Sequence, residues 1–279
     1  YDWTRNIVGD SGNIQLTYLL ESGIDLHNYQ PSTKDILTIS DCDLFIYVGG
    51  ESDKWVSDTL GEARNSDMKV ISLMNVLGES VKEEEIKEGM QAEEDEHSDE
   101  PEYDEHVWLS VKNAELFCGS ICETLSDIDP ENADKYRTNL ESYKAELSNL
   151  DREYQDMIDS KTEKTVLFGD RFPFRYLFDD YGIDYYAAFV GCSAETEASF
   201  NTIVTLADKV DELGLDTVFV IENSDTSIAE AIIRNSKSKD QQILTLNSIQ
   251  SVSSEMIKDG ATYISLMEKN CETLGSVLK

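Results

Sequence analysis

The sequence predicts an α/β protein of two lobes with parallel sheets, joined by one long backbone helix, with the ligand cleft between the lobes. Strand-like apolar runs alternate with helical patterns in both halves of the 279-residue chain, and one unbroken helical stripe separates the halves. At roughly 100–200 residues per domain, the length also suits two domains. We expect an N-terminal lobe over 1–128, the connecting helix over 129–161 and a C-terminal lobe over 162–279.

In the first half, short apolar runs predict buried strands, and helical patterns lie between them. The predicted strands are 13–20, 43–48 and 69–74, and the predicted helices are 33–40 and 54–65. This rhythm is typical of βαβ units, which build parallel sheets covered by helices.

Residues 79–105 form an acidic, low-complexity segment. They contain 14 Asp and Glu residues against two Lys, and thus contribute −12 to the net charge of −34. Such a block cannot bury enough apolar surface to order itself, so we expect a mobile loop. Two interpretations remain open: a solvated loop that aids solubility, or a weak collector of cations that includes His97.

The strongest helical pattern covers residues 130–160. Asp129-Pro130 predicts the start of a helix, because proline fits the first helical turn. Apolar side chains then recur at alternating spacings of three and four residues: Ala133, Tyr136, Leu140, Tyr143, Leu147, Leu150, Tyr154 and Met157. At 1.5 Å per residue this helix would be about 46 Å long, which predicts a rigid connector that packs on both lobes.

The second half repeats the alternation of strands and helices. The predicted strands are 165–169, 184–189, 217–222 and 242–247, and the predicted helices are 172–181, 196–213, 227–237 and 262–278. Open parallel sheets bind ligands beyond the carboxyl ends of their strands, so a cleft between two such lobes is the expected site.

The charge balance favours cations as ligands. The chain has 23 Lys and Arg against 57 Asp and Glu. This balance argues against binding to nucleic acids or to anionic membranes, which require basic surfaces, whereas an acidic cleft concentrates cations. No apolar run approaches the roughly 18–20 residues that span a bilayer.

Motifs for catalysis and for cysteine-based frameworks are missing from the sequence. It contains no G-x-S-x-G, P-loop, G-x-G-x-x-G or H-E-x-x-H pattern, so no enzyme is predicted. The five cysteines form no C-x-x-C pair, and Cys118 and Cys122 are expected to be buried apolar residues of one helix. Two of the three histidines, His27 and His106, are expected near the ends of strands, on the face where the cleft opens.

Four segments carry a resemblance to a known family. GIDLHNYQPS resembles the G-x-D-x-H-x-Y-x-P-S segment of metal-binding solute-binding proteins of ABC transporters, the zinc/manganese group. EHVWLSVKNA, DPENADKYRTNLESYKAEL and TYISLMEKNCETL are similar to later segments of that group, in the same order. The acidic segment stands where zinc-specific members carry a His-rich loop.

The resemblance implies an extracytoplasmic, high-affinity receptor that delivers a divalent metal to an ABC permease in the membrane. Such a receptor is not an enzyme, and it is a periplasmic protein or a cell-surface lipoprotein. We expect Zn²⁺, with Mn²⁺ as the alternative, because imidazoles favour zinc and an oxygen-rich remainder would favour manganese. We further expect a monomer that binds no nucleic acid.

The resemblance also implies metal ligands, and here the sequence departs from the family. His27 and His106 match family ligands, but the third position holds Arg171, which cannot ligate a cation, and the fourth holds Asn247. We therefore expect Asp170 and Glu222 to complete or directly support the site. The reserves lie on one neighbouring loop: Cys192, Glu195 and Glu197.

Three alternatives remain open from the sequence. Arg171 could bind an anionic or metal-chelate ligand through its guanidinium group. The same fold could serve as a surface adhesion protein. A metal-dependent enzyme would need an open coordination position and a general base.

Overall fold

Parallel strands flanked by helices build the protein, as seen in a computed structural model that describes residues 1–12, 14–91, 102–193 and 197–279. This architecture confirms the predicted α/β class. The chain forms two units: unit 1 contains Tyr1–Val81, Ser110–Asp151 and Ile249–Ser265, and unit 2 contains Lys82–Leu109, Arg152–Ser248 and Leu266–Lys279.

The elements follow in chain order. The helices of the described residues are α1 Asp2–Val8, α2 Thr33–Asp41, α3 Trp55–Gly61, α4 Leu73–Leu77, α5 Val111–Ile128, α6 Ala133–Asp159, α7 Arg175–Tyr181, α8 Phe200–Leu213, α9 Ser227–Asn235, α10 Ser254–Lys258 and α11 Tyr263–Val277. The strands are β1 Leu44–Tyr47, β2 Lys69–Ser72, β3 Thr165–Phe172, β4 Asp184–Val190, β5 Thr217–Ile221 and β6 Gln242–Leu246. Short 3₁₀ turns cover Leu26–Asn28, Gly78–Ser80 and Val107–Leu109.

Unit 1 contains the parallel pair β1–β2, in agreement with two of its three predicted strands. The prediction of a strand over 13–20 is wrong for its described residues 14–20, which take part in no sheet. Their side chains are at most half-buried, and Tyr18 instead donates its hydroxyl hydrogen to the carbonyl oxygen of Val252 at 2.8 Å. This segment is therefore held by a loop rather than by a neighbouring strand.

Unit 2 contains a parallel sheet in the order β4-β3-β5-β6. Strand β3 continues three residues beyond the predicted end, and its register to β4 shifts between Phe168 and Arg171. At Gly169 this strand lies against α9, where an added Cβ would stand 2.5 Å from the Cα atom of Ala229. Only glycine permits this close approach.

The predicted long helix is present as α6, one continuous helix from Ala133 to Asp159. Seven of its eight predicted apolar positions are buried, and Met157 is half-buried. In unit 1 the Asn139 amide donates to the carbonyl oxygen of Ile7 at 2.9 Å, and in unit 2 the Tyr154 hydroxyl donates to that of Met267 at 2.7 Å. The helix thus has side-chain anchors in each unit.

The division into units differs from the predicted boundaries in two places. Residues 82–109 group with unit 2, although the sequence placed them in the N-terminal lobe, and 249–265 group with unit 1. Residues 249–265 are hydrogen-bonded to residues near the start of the chain, for example by a bridge between Ser22 and Ser253. A local sequence pattern does not predict such long-range pairing.

The described ends of the acidic segment are packed, in contrast to the expected solvated loop. Asp104 and Glu105 are buried, at 2% and 1% exposure. Ion pairs join the segment to helix α7 of the same unit: Lys82 pairs with Asp179 at 2.8 Å, and Arg175 pairs with Glu85. Residues 92–101, which include His97, lie outside the described residues. Among the helices that the structure describes, none is long and apolar enough to cross a bilayer.

The buried stripe of α6 predicts a stability effect. Leu147 is fully buried, so Leu147→Ala is expected to lower the free energy of unfolding by about 2–5 kcal/mol, through lost burial and a cavity. The neighbouring Glu146 is exposed, and Glu146→Ala should stay within about 0.5 kcal/mol of the parent. Urea unfolding followed by circular dichroism measures both. Equal effects of the two substitutions would mean that the stripe contributes no packing.

Candidate metal centre

His106 is fully buried in unit 2, immediately before the turn Val107–Leu109. Its backbone N–H donates to Asp104 Oδ1 at 2.8 Å, and its ring Nδ1 lies 3.0 Å from the same oxygen. A carboxylate only accepts hydrogen bonds, so Nδ1 carries the proton and the lone pair resides on Nε2. A carboxylate that orients a histidine in this way is the usual support of a metal-ligating imidazole.

Cys192 lies beside His106 in the same unit. It follows β4 in a turn, and its sulfur lies within 4.8 Å of a ring nitrogen of His106. Gly191 permits this proximity, because a Cβ there would stand 2.9 Å from His106 Cε1 and 2.9 Å from the carbonyl oxygen of Phe172. An imidazole nitrogen and a thiol sulfur at this separation are two ligands of the kind that zinc takes.

The surroundings of Cys192 are acidic and shielded from water. Burial, together with the charges of Glu84, Asp104 and Glu105, holds the pKa of the Cys192 thiol well above its ordinary value. Burial also raises the pKa of Glu84, while hydrogen bonds from Cys192 act in the opposite direction. Without a cation the thiol is therefore protonated, whereas a bound divalent ion would favour the thiolate.

His27 lies in unit 1, in the 3₁₀ turn Leu26–Asn28 and not at the end of a strand as the sequence suggested. Its backbone N–H donates to Asp25 Oδ1 at 3.0 Å, and its ring Nδ1 lies 2.7 Å from the hydroxyl of Ser52. Gln250 donates to the other oxygen of Asp25 at 3.0 Å. The ring is half-buried, and its Nδ1 contacts a hydroxyl that can donate or accept a hydrogen bond.

Asp170 and Glu222 are engaged with backbone groups. Asp170 is 8% exposed, and its two oxygens accept hydrogen bonds from the N–H groups of Arg171 at 2.8 Å and Ile221 at 3.0 Å. Glu222 accepts from the backbone N–H of Ser248 at 2.7 Å and from its hydroxyl at 2.8 Å. Within the described residues, neither carboxylate belongs to a group of three or more potential metal ligands.

Arg171 and Asn247, for which the resemblance implies ligand positions, also have structural contacts. Arg171 Nη1 reaches the carbonyl oxygen of Ser193 at 3.5 Å. Asn247 donates its backbone N–H to Asn270 at 2.8 Å and accepts at its carbonyl from the same side chain at 2.7 Å. Of the reserve residues, Glu197 is exposed and Glu195 lies outside the described part of the chain.

Sequence reasoning held Cys192 only in reserve and missed Asp104. All three histidines stand in an Asp-x-His pattern, with Asp25, Asp95 and Asp104, so this pattern could not single out Asp104. At His27 and His106 the aspartate accepts a hydrogen bond from the backbone N–H of the histidine. Cys192 lies beside His106 because of the place of β4 in unit 2. A local sequence pattern does not predict the place of a strand in a sheet.

Comparison of the sequence with known proteins identifies its family. The profile of the family described as zinc-uptake complex component A, periplasmic (ZnuA) matches residues 1–277. The chain belongs to this family. The zinc-binding lipoprotein AdcA of Streptococcus pneumoniae (strain ATCC BAA-255 / R6) is 30% identical over 279 residues, which cover 98% of this chain and 53% of that protein. The high-affinity zinc uptake system protein ZnuA of Bacillus subtilis (strain 168) is 27% identical over 277 residues, covering 98% and 83%.

A solved structure of a ZnuA-like domain agrees with the fold. The Zn(II)-bound ZnuA-like domain of Streptococcus pneumoniae AdcA is 26% identical, has a TM-score of 0.77, and is matched over 100% of this chain and 95% of that one. The present chain spans about half the length of the AdcA proteins that it matches.

The Asp104–His106 contact predicts the tautomer of one histidine. In the metal-free parent, neutral His106 should carry its proton on Nδ1. Asp104→Asn should give a mixture of tautomers, because an amide presents both a donor and an acceptor. Long-range ¹H–¹⁵N spectra of the imidazoles measure this, and the His27 signals provide an internal control. An unchanged His106 tautomer in Asp104→Asn would show that another contact sets it.

Proposed function

We propose that the protein is an extracytoplasmic receptor for Zn²⁺ that delivers the ion to the membrane permease of an ABC importer. The observation that carries the proposal is the pair His106 and Cys192, a buried imidazole and a shielded thiol within 4.8 Å in one unit. Membership of the ZnuA family supports the importer as partner. The names of the relatives support a place in the periplasm or on the cell surface as a lipoprotein.

We propose His106 and Cys192 of unit 2 as zinc ligands, and the family resemblance of the segment around His27 supports this histidine as a further ligand. Asp104 orients the His106 ring so that its Nε2 carries the lone pair, and Ser52 contacts Nδ1 of His27. Asp170 and Glu222 support the site rather than ligate, because their oxygens hold the backbone at the ends of β5 and β6. Zinc acts here as cargo, and no bond is made or broken, so the protein is a binding protein and not an enzyme.

A thiolate among the ligands favours zinc over manganese. Manganese prefers carboxylate, carbonyl and water oxygens, whereas zinc accepts sulfur and imidazole nitrogen readily. In this proposal Mn²⁺ therefore binds more weakly than Zn²⁺. The net charge of −34 supports capture of cations and opposes binding to nucleic acids, and we propose that the receptor acts as a monomer.

The first test is removal of the thiol. Cys192→Ser is expected to weaken Zn²⁺ binding at least tenfold, about 1.4 kcal/mol, and to affect Mn²⁺ binding much less. Cys42→Ser is the matched control, since Cys42 is also half-buried but lies in unit 1. Competition titrations with a chelator of known affinity measure the dissociation constants for Zn²⁺ and Mn²⁺.

Two outcomes would contradict this ligand set. If Cys192→Ser binds zinc like the parent while Asp170→Ala loses tenfold or more, the carboxylate is the ligand instead. If neither substitution nor His106→Ala affects zinc binding, the site is not a zinc site, and Arg171→Gln would test the alternative of an anionic ligand.

The second test is the pH dependence of zinc affinity. The pKa of the metal-free Cys192 thiol is raised, so zinc must displace its proton at neutral pH. Above the ordinary histidine range, between about pH 7 and pH 9, the affinity should rise about tenfold per pH unit. Cys192→Ser should remove most of this slope. A parent affinity independent of pH over this range would exclude a protonated thiol as a ligand.

A further inference from the structure

The described ends of the acidic segment form a defined piece of unit 2, which we call the acidic root: residues 82–91 and 102–105. Its two segments are joined by an isolated antiparallel bridge between Glu83 and Tyr103. The backbone N–H of Glu84 donates to the carbonyl oxygen of Glu102 at 2.9 Å, and that of Asp104 donates to Lys82 at 2.9 Å. The backbone of Glu84 is therefore fixed relative to Asp104, whose carboxylate holds His106.

The acidic root is also attached to β4 and to the chain beyond it. The backbone N–H of Gln91 donates to the carbonyl oxygen of Ala188 at 2.9 Å. The Gln91 side chain accepts from the backbone N–H of Ser199 at 2.8 Å, and Lys87 pairs with Asp184 at 2.5 Å. These contacts place the root alongside β4 without any help from the Glu84 side chain.

Glu84 itself contacts the turn that carries the thiol. Its Oε1 accepts a hydrogen bond from the backbone N–H of Cys192 at 3.1 Å. Gly191, in the same turn, lies against the His106 ring. The turn thus contacts both a carboxylate of the acidic root and the imidazole that we assign as a zinc ligand.

We propose that Glu84 is a positioning residue for zinc binding: it fixes the backbone of Cys192 so that the sulfur faces the same point as His106. The inference rests on the proposed function, because it assumes that Cys192 is a ligand. It gives the acidic segment a role that neither of its sequence-based interpretations contained. The root shapes the metal site directly, and its effect comes from one hydrogen bond rather than from its summed charge.

The chemistry explains why one hydrogen bond matters. A metal ligand on a turn loses affinity when the turn samples other conformations, because binding must then restore the productive one. A glutamine at position 84 still offers an oxygen to the Cys192 N–H, whereas an alanine offers none. The hydrogen bond and the charge can therefore be separated by substitution.

The experiment compares three variants of the full chain. Glu84→Ala is expected to weaken Zn²⁺ binding at least tenfold, while Glu84→Gln stays within threefold of the parent. Glu83→Ala is the matched control, because it removes the same charge from an adjacent, exposed residue. Thermal unfolding of each metal-free variant checks the fold, and Glu84→Met, which retains the side-chain volume, replaces Glu84→Ala if that variant does not fold.

Co²⁺ provides a readout that a purely structural role would not change. Thiolate bound to Co²⁺ gives a sulfur-to-metal charge-transfer band, which should be strong in the parent, in Glu83→Ala and in Glu84→Gln, and weak in Glu84→Ala. A parent without this band would refute Cys192 as a ligand. A parent with the band and a Glu84→Ala variant with the same band and zinc affinity would refute the role of Glu84 alone. Equal losses in Glu84→Gln and Glu84→Ala would also refute it, because charge would then be the cause.

Discussion

The hydrogen bonds between Asp104 and His106 are the constraint on which the rest of the site depends. Both residues are almost inaccessible to water, and a buried carboxylate is costly unless donors surround it. Asp104 meets this need with the backbone N–H and the ring Nδ1 of His106. Its own backbone is held as well, because Tyr176 donates to its carbonyl oxygen at 3.0 Å. One buried carboxylate thus fixes the position, the tautomer and the orientation of the imidazole.

The acidic side chains around Asp104 and His106 favour binding of a cation at the proposed site. Carboxylates and burial oppose ionisation of the Cys192 thiol, so the metal-free site avoids a further negative charge. A bound divalent ion would reverse this balance, since it favours the thiolate. The strongly acidic composition is therefore more than a surface property, because part of it lies within one hydrogen bond of a proposed ligand.

The sequence predicted the parts of the structure that local patterns encode. The buried runs of β3 and β5 and the stripe of α6 follow directly from apolar periodicity. The segment 13–20 has a similar composition, but its side chains stay half-exposed and its partner is a loop. A short apolar run thus predicts a strand only where a neighbouring strand is available.

The site was predicted less completely, because its contacts join residues far apart in sequence. Asp170 was expected to complete or directly support the site because it precedes Arg171, and the structure shows one of its oxygens accepting from the backbone N–H of Ile221. Cys192 is 86 positions from His106, and their proximity requires both Gly191 and the pairing of β4 with β3. Periodicity and motif spacing contain no information on such a contact.

Arg171, at the position where the sequence resemblance implies a ligand, has a contact that supports the proposed site. A guanidinium cannot bind a cation, but its Nη1 reaches the carbonyl oxygen of Ser193, next to Cys192. Glu84, in the acidic root, accepts a hydrogen bond from the backbone N–H of Cys192. Two side chains of opposite charge thus hold the backbone of the turn that carries the proposed sulfur ligand.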